Sequence, residues 1–252
     1  MTTLWKKRIE GILYEVRQAG HSRRLYTNGV FHSQFSTSNP ITGSIWDLLL
    51  LPAFFHPPEQ LNRILVLGVG GGTVIRQLLH FFQPQQIVGI EICRHHIDIA
   101  RRYFGVTHRN VQLIKDDAIQ WVNHYQGEKF DLIIEDIFSG ENNDPTRVIT
   151  PNQKWMTQLF NLTTRQGMLV MNHAGQEEFK TSAAFSAPTI QKRIKSAFHF
   201  TTPTCDNIVA AYSKQIVLRK TLTDNLLESP FTNTQLSQCR LRYALKKINL
   251  NN

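Results

Sequence analysis

The chain has 252 residues, 41% of them apolar, and a formal net charge of +9, enough for one sizeable globular domain with an attachment. Its longest apolar run, Ile45 to Phe55, is broken by Asp47 and Pro52 and is too short to span a bilayer, and no apolar stretch follows the charged N-terminus as in a signal peptide. Three scattered cysteines, Cys93, Cys205 and Cys239, lack metal-ligand spacing, so no metal centre is expected and a reducing, cytoplasmic setting fits.

The first 59 residues read as a small antiparallel β unit followed by a short helix. Ile12–Gln18 and Arg24–Thr27 alternate apolar and polar residues, and Thr27-Asn28-Gly29-Val30 carries a strong hairpin signal. Ser44 is a candidate cap for an apolar helix running to Phe55, which His56-Pro57-Pro58 ends. From 60 to 252 strands and helices alternate, predicting an α/β, doubly wound, mostly parallel sheet. The first strand, Ile64–Leu67, runs into Gly68-Val69-Gly70-Gly71-Gly72-Thr73 and then a helix. Glycines at such a turn let backbone N–H groups approach a ligand, and the helix N-terminus adds a favourable partial charge. No Lys-Ser/Thr follows, which excludes a P-loop, and Thr73 replaces the third glycine of the NAD pattern, which leaves the nucleoside-binding turn of a Rossmann-like class I methyltransferase fold as the expectation.

The second strand, Gln86–Ile90, ends at Glu91, roughly twenty residues beyond Gly68, where an acid can accept both hydroxyls of a ribose. A helix through Ile97–Tyr103, a third strand at Val111–Lys115 and a helix opened by Asp116-Asp117-Ala118-Ile119 follow. Asp117 with Ala118 can read an adenine edge, and Asp117 also suits a helix cap. The fourth strand runs from Asp131 through Glu135 to Asp136, and a helix near Asn152–Leu162 precedes the fifth at Gly167–Met171. His199–Phe200, Asn207–Tyr212 and Gln215–Leu218 are expected to finish the sheet with an antiparallel hairpin, and residues 231–252 to form a helical tail or fray. Ligands of open α/β sheets sit beyond the carboxyl ends of the strands. The expected cofactor-binding set is therefore Gly68, Val69, Gly70, Gly71, Gly72, Glu91, Ile92, Asp116, Asp117 and Ala118.

These motifs resemble the spermidine synthase superfamily of polyamine aminopropyltransferases, in its methyltransferase-like branch with an Asp-x-Phe-Ser motif, here Asp136-Ile137-Phe138-Ser139. Family members carry Gly-Gly-Gly-Asp-Gly-Gly, so Gly71 stands where the family aspartate binds the amine of decarboxylated S-adenosylmethionine. The family's Leu-Asp-Gly hairpin is similar to Thr27-Asn28-Gly29, its glutamine falls on His32 with Gln34 nearby, and its Tyr-His-Glu matches Ile45-Trp46-Asp47. The resemblance implies Asp136 as the group that orients and deprotonates an attacking amine, with His32, Gln34 and Asp47 on the substrate side, and a homodimer.

The missing acid at Gly71 and the positive net charge favour intact S-adenosylmethionine and transfer, most readily of methyl, to a small-molecule acceptor. The alternative is aminopropyl transfer from decarboxylated S-adenosylmethionine to an amine. A non-catalytic nucleoside-binding protein and a nucleic-acid methyltransferase are further readings. Nucleic acid is not favoured as a partner, because the basic groups are scattered and Glu135-Asp136-Ile137-Phe138 lacks the loop that holds a flipped base.

Overall fold

The computed structural model describes residues 1–36, 38–140, 146–229 and 241–250. Strands β1 (Thr2–Ile9), β2 (Ile12–Ala19), β3 (Ser22–Thr27) and β4 (Val30–Ser36) form an antiparallel sheet in that order. The β3–β4 turn falls where expected, with Asn28 and Gly29 both at positive φ, as a tight two-residue hairpin requires. The β1–β2 turn places Glu10 and Gly11 there too, a hairpin not evident from the charged N-terminal sequence.

Next come α1 (Ile45–Leu50), a 3-10 helix over Leu51–Phe55, β5 (Arg63–Leu67), α2 (Thr73–Phe81), β6 (Gln86–Glu91), α3 (Arg94–Phe104), β7 (Val111–Lys115), α4 (Ala118–His124) and β8 (Phe130–Glu135). The two-residue strands β9 (Phe138–Ser139) and β10 (Thr146–Arg147) pair with each other. They are followed by α5 (Gln153–Leu162), β11 (Thr163–His173), the short helices α6 (Gln176–Thr181), α7 (Ala183–Ser186) and α8 (Pro188–Gln191), β12 (Ser196–Thr202), β13 (Cys205–Ser213), α9 (Arg219–Glu228) and β14 (Ala244–Lys247).

The main sheet has the order β14-β12-β13-β11-β8-β5-β6-β7. The strands from β11 to β7 run parallel, and β13, β12 and β14 extend the sheet antiparallel. Apolar runs such as Ile64–Leu67 and Leu132–Ile134 are buried on both faces, as strands in the middle of a parallel sheet must be. Ile64 and Val66 join the core under α1 and α2, and Leu65 and Leu67 join the core under α5. Because β6 and β7 lie on one side of β5 and β8 and β11 on the other, the order reverses between β5 and β8, the topological position for a ligand.

Two expectations are corrected. Gln215–Leu218 is no strand: Val217 is buried but Ile216 and Leu218 are exposed, and α9 follows. The described part of the tail is not helical, since β14 pairs with β12 at the sheet edge. Residues 45–55, like Tyr14, Val16 and Leu25 of β2 and β3, belong to one apolar cluster with the main sheet. Asp144, Pro145, Cys239 and Arg240 lie outside the described residues.

Ser44 occupies the cap of α1 in extended geometry, yet its side chain makes no capping bond. Asp47 does the work from inside the helix. Its carboxylate accepts from Thr42 N (3.0 Å), Thr42 Oγ1 (2.9 Å), Gly43 N (2.7 Å) and the Gln77 amide (2.6 Å), tying α1 to α2. Asp47→Ala leaves those buried donors unmatched and is expected to cost about 1–3 kcal/mol of stability. Urea unfolding with a lowered midpoint and unchanged slope would report it; an unchanged midpoint would refute the anchoring role.

Candidate active site

Backbone hydrogen bonds beyond the strand ends gather the expected acids and the glycine turn into one row. Gly68 N donates to Ile90 O (3.0 Å), Asp136 N to Leu67 O (2.8 Å) and Asp116 N to Glu91 O (3.2 Å). Gly68 has φ +85°, and a side chain there would start 2.0 Å from the Asp136 carbonyl oxygen. Only glycine lets the turn pass so close to the strand end that carries Asp136.

Glu91, at the end of β6, is buried and accepts from Val69 N (3.0 Å), Gly70 N (2.7 Å) and Cys93 N (2.9 Å). His96 Nδ1 stands 3.6 Å from the same carboxylate, and its Nε2 lies 2.8 Å from Thr27 Oγ1. Burial alone would raise the Glu91 pKa; His96 and the Cys93 and Gly70 amides outweigh it and hold the group below its ordinary value. A carboxylate has about four acceptor positions, so ribose hydroxyls must share oxygens that already hold the turn. Ile92, beside it, exposes an apolar side chain.

Asp117 caps α4: its Oδ1 accepts from Ile119 N (2.8 Å) and Gln120 N (3.0 Å), leaving Oδ2 outside the cap. Asp116 Oδ1 accepts from Asp117 N (2.8 Å), and Ala118 is the first residue of the helix. A recess of about 290 Å³ opens beside Asp116, between Gln120, Trp121 and Tyr125. A larger one, about 550 Å³, lies at the opposite, amino ends of the strands. Asp131 there is already bound to Asn62 N, Arg63 N and Thr164, so the larger recess offers no comparable set of acids.

The N-terminal sheet closes the other side of the turn. Gly71 N donates to Ser33 Oγ (2.6 Å), and Gln34 N and O both bond to Thr73 Oγ1 (3.1 and 2.9 Å). The bare Gly71 position points at Ser33 Cβ (2.8 Å) and the Phe104 ring (3.1 Å). Its lack of an acid is therefore a packing requirement of this seam, and the argument from Gly71 to an intact donor loses its footing. Of the substrate-side expectations, Asp47 is taken up by the α1 anchor and the Gln34 amide turns to Thr42 O (3.4 Å). His32 lies between the two halves of the site: its ring meets His96 (centroids 4.9 Å apart), and its buried Nε2, without a hydrogen-bond partner among the described residues, faces Gly140, where a side chain would start 3.3 Å away. Burial, then the charge of His96, lowers its pKa to about 4, so it is neutral at physiological pH.

Asp136 Oδ1 accepts from the Asn172 amide (2.7 Å). Burial raises its pKa above the ordinary 3.8, against the Asn172 bond and the charge of Arg147, a shift that makes it a stronger base. Sequence reasoning missed Ser33, His96, Asn172 and Arg147. Asn172 had a readable signal, since it follows the apolar run of β11 as Asp136 follows that of β8.

The donor set suits a nucleoside: backbone amides at the turn, a charged Glu91 for ribose, and Asp117 Oδ2 with the start of α4 for adenine. Glu91→Gln keeps the shape but not the charge and should weaken an adenosyl ligand by about 1–3 kcal/mol in calorimetry. Because the folded pKa lies below 4.5, the stability contributed by Glu91 is complete above that pH and lost as pH falls through the lowered value. The stability gap between wild type and Glu91→Gln should therefore narrow as the medium is acidified; a gap independent of pH would contradict the assignment.

The family model described as "Spermine/spermidine synthase domain" matches residues 47–227. Polyamine aminopropyltransferase 2 of Caldanaerobacter subterraneus subsp. tengcongensis is 25% identical over 166 residues, covering 64% of this chain and 54% of that protein. The chain spans about half the length of the curated relatives it matches. Among solved structures, a probable spermidine synthase from Corynebacterium glutamicum superposes with a TM-score of 0.69 at 17% identity, over 97% of this chain and 90% of that one. The spermidine synthase of Thermotoga maritima gives 0.65 at 15% identity, over 94% and 78%. At these identities the structures speak for the fold, while the family match extends from α1 to α9. The chain belongs to the spermine/spermidine synthase family, a family of group transferases.

Proposed function

We propose that the protein is an aminopropyltransferase that binds decarboxylated S-adenosylmethionine at the glycine turn and transfers its aminopropyl group to a small amine. The observation that carries this reading is Asp136, a carboxylate of raised basicity at a strand end next to the turn, within a family match that spans most of the chain. The relatives' names support aminopropyl over methyl transfer, and the geometry at Gly71 removes the main argument for the latter.

In the reaction the acceptor nitrogen attacks the aminopropyl carbon bonded to the sulfonium. The N–C bond forms, the C–S bond breaks with its electron pair going to sulfur, and the acceptor's proton passes to Asp136. The protein's share is alignment, exclusion of water and a place for that proton. The homodimer implied by the family resemblance belongs to the same proposal and is read from particle mass in solution.

Incubation with putrescine and either donor, with products identified by mass spectrometry, tests the reading. Methylthioadenosine and an aminopropylated amine should form from the decarboxylated donor alone. S-Adenosylhomocysteine and a methylated acceptor from the intact donor, with no turnover of the other, would overturn it. Asp136→Asn should reduce turnover by about 100-fold or more while donor binding persists. Wild-type kcat/KM should fall on the acid side as Asp136 is protonated, with a midpoint above 3.8.

A further inference from the structure

Behind Asp136 lies a buried polar network. Asn172 is the first residue past the last apolar position of β11 and is almost inaccessible, with 3% exposure. Its Nδ2 donates to Asp136 Oδ1 (2.7 Å), and its Oδ1 accepts from the Asn207 amide (3.1 Å) on β13. The direction of this chain is fixed by chemistry. An ionised carboxylate only accepts, so Asn172 must present its NH₂ to Asp136, and its oxygen then requires a donor, which Asn207 supplies.

The backbone of Asn172 is held as well. Arg147, on β10 opposite Phe138, donates from Nη1 to the Asn172 carbonyl, from Nε to Ile149 O (2.7 Å) and from Nη2 to Glu135 Oε2 (2.5 Å). Glu135 is the residue before Asp136, and its side chain is fully buried, with Oε1 unmatched among the described residues. A buried ion pair adds little net stability, so the consequence of this one lies in geometry. One guanidinium ties the end of β8, which carries Asp136, to the end of β11, which carries Asn172.

We infer that Asn172 is a positioning residue for Asp136: its amide fixes one carboxylate oxygen and leaves Oδ2 for the acceptor amine, while Arg147 and Asn207 hold Asn172 in the orientation that does so. The inference rests on the acceptor-side role given to Asp136 above. The charged groups acting on Asp136 are Arg147 from β10 and Glu91 from β6, while burial and, after it, Asp136 itself push the Glu135 carboxyl up to about 7. Arg147 favours the carboxylate, Glu91 opposes it, and the Asn172 bond adds to the favourable side.

The test follows the side-chain carboxyl signal of Asp136 by ¹³C NMR, assigned through Asp136→Asn, as pH is varied. Asn172→Ala should move the midpoint upward, leave calorimetric binding of methylthioadenosine intact, and reduce kcat/KM at neutral pH at least about tenfold, with partial recovery at higher pH. Asn207→Ala should act in the same direction and more weakly, and carries the test by itself if Asn172→Ala does not fold. An Asp136 midpoint unmoved in the folded variants overturns the inference, even where turnover is present. A moved midpoint in a protein that turns over neither donor upholds the positioning role and sinks the proposed reaction instead.

Discussion

The carboxylate of Glu91 is the contact on which the site depends. It sits buried at the end of β6 and takes backbone N–H groups from both residues that follow Gly68, so the shape of the turn is set by a side chain from the neighbouring strand. The turn in turn presents the Gly71 amide to Ser33 and the Thr73 hydroxyl to Gln34, which seats the N-terminal sheet. A single charged group thus links the sheet edge, the turn and the smaller unit. Its lowered pKa keeps it charged at physiological pH.

The acids of the site divide by environment. Glu91 is surrounded by donors and stays ionised, whereas the half-buried Asp136 has a single amide on its carboxylate and the charge of Glu91 against it, and its raised pKa suits proton transfer. Separation of pKa values between neighbouring carboxyls is the usual way one site acquires both a fixed charge and a base. His32, neutral and wedged between His96 and the loop after Asp136, stands at the boundary of the two halves.

Much of this was legible in the sequence, because strand, glycine turn, helix and terminal acid are local patterns. The buried runs gave the parallel strands, Asn28-Gly29 gave its hairpin, and the strand-end rule gave Glu91, Asp117 and Asp136. What escaped depended on partners distant in the chain. Gln215–Leu218 alternates as a strand does, with Val217 inward and Ile216 and Leu218 outward, but among the described residues no strand pairs with it. Ala244–Lys247 has a weak pattern and becomes β14 through its pairing with β12. Asp47 has the composition of a substrate-binding acid, and only its bonds to Thr42, Gly43 and Gln77 reveal an anchor. Gly71 illustrates the same limit, since a residue's name does not tell which way its side chain would point. The Arg147–Asn172 network requires the β8–β11 register, which one strand's sequence does not contain.

The central claim is that an adenosyl group lies on the turn with its ribose at Glu91, and the most direct measurement is a titration of ¹⁵N-labelled protein with methylthioadenosine. The account predicts that the amide signals of Val69, Gly70, Gly71 and Ala118 shift together and saturably, and that those of Thr164–Gln166 at the opposite edge of the sheet stay in place. Saturable binding that leaves the turn amides unmoved while shifting another part of the fold would contradict it.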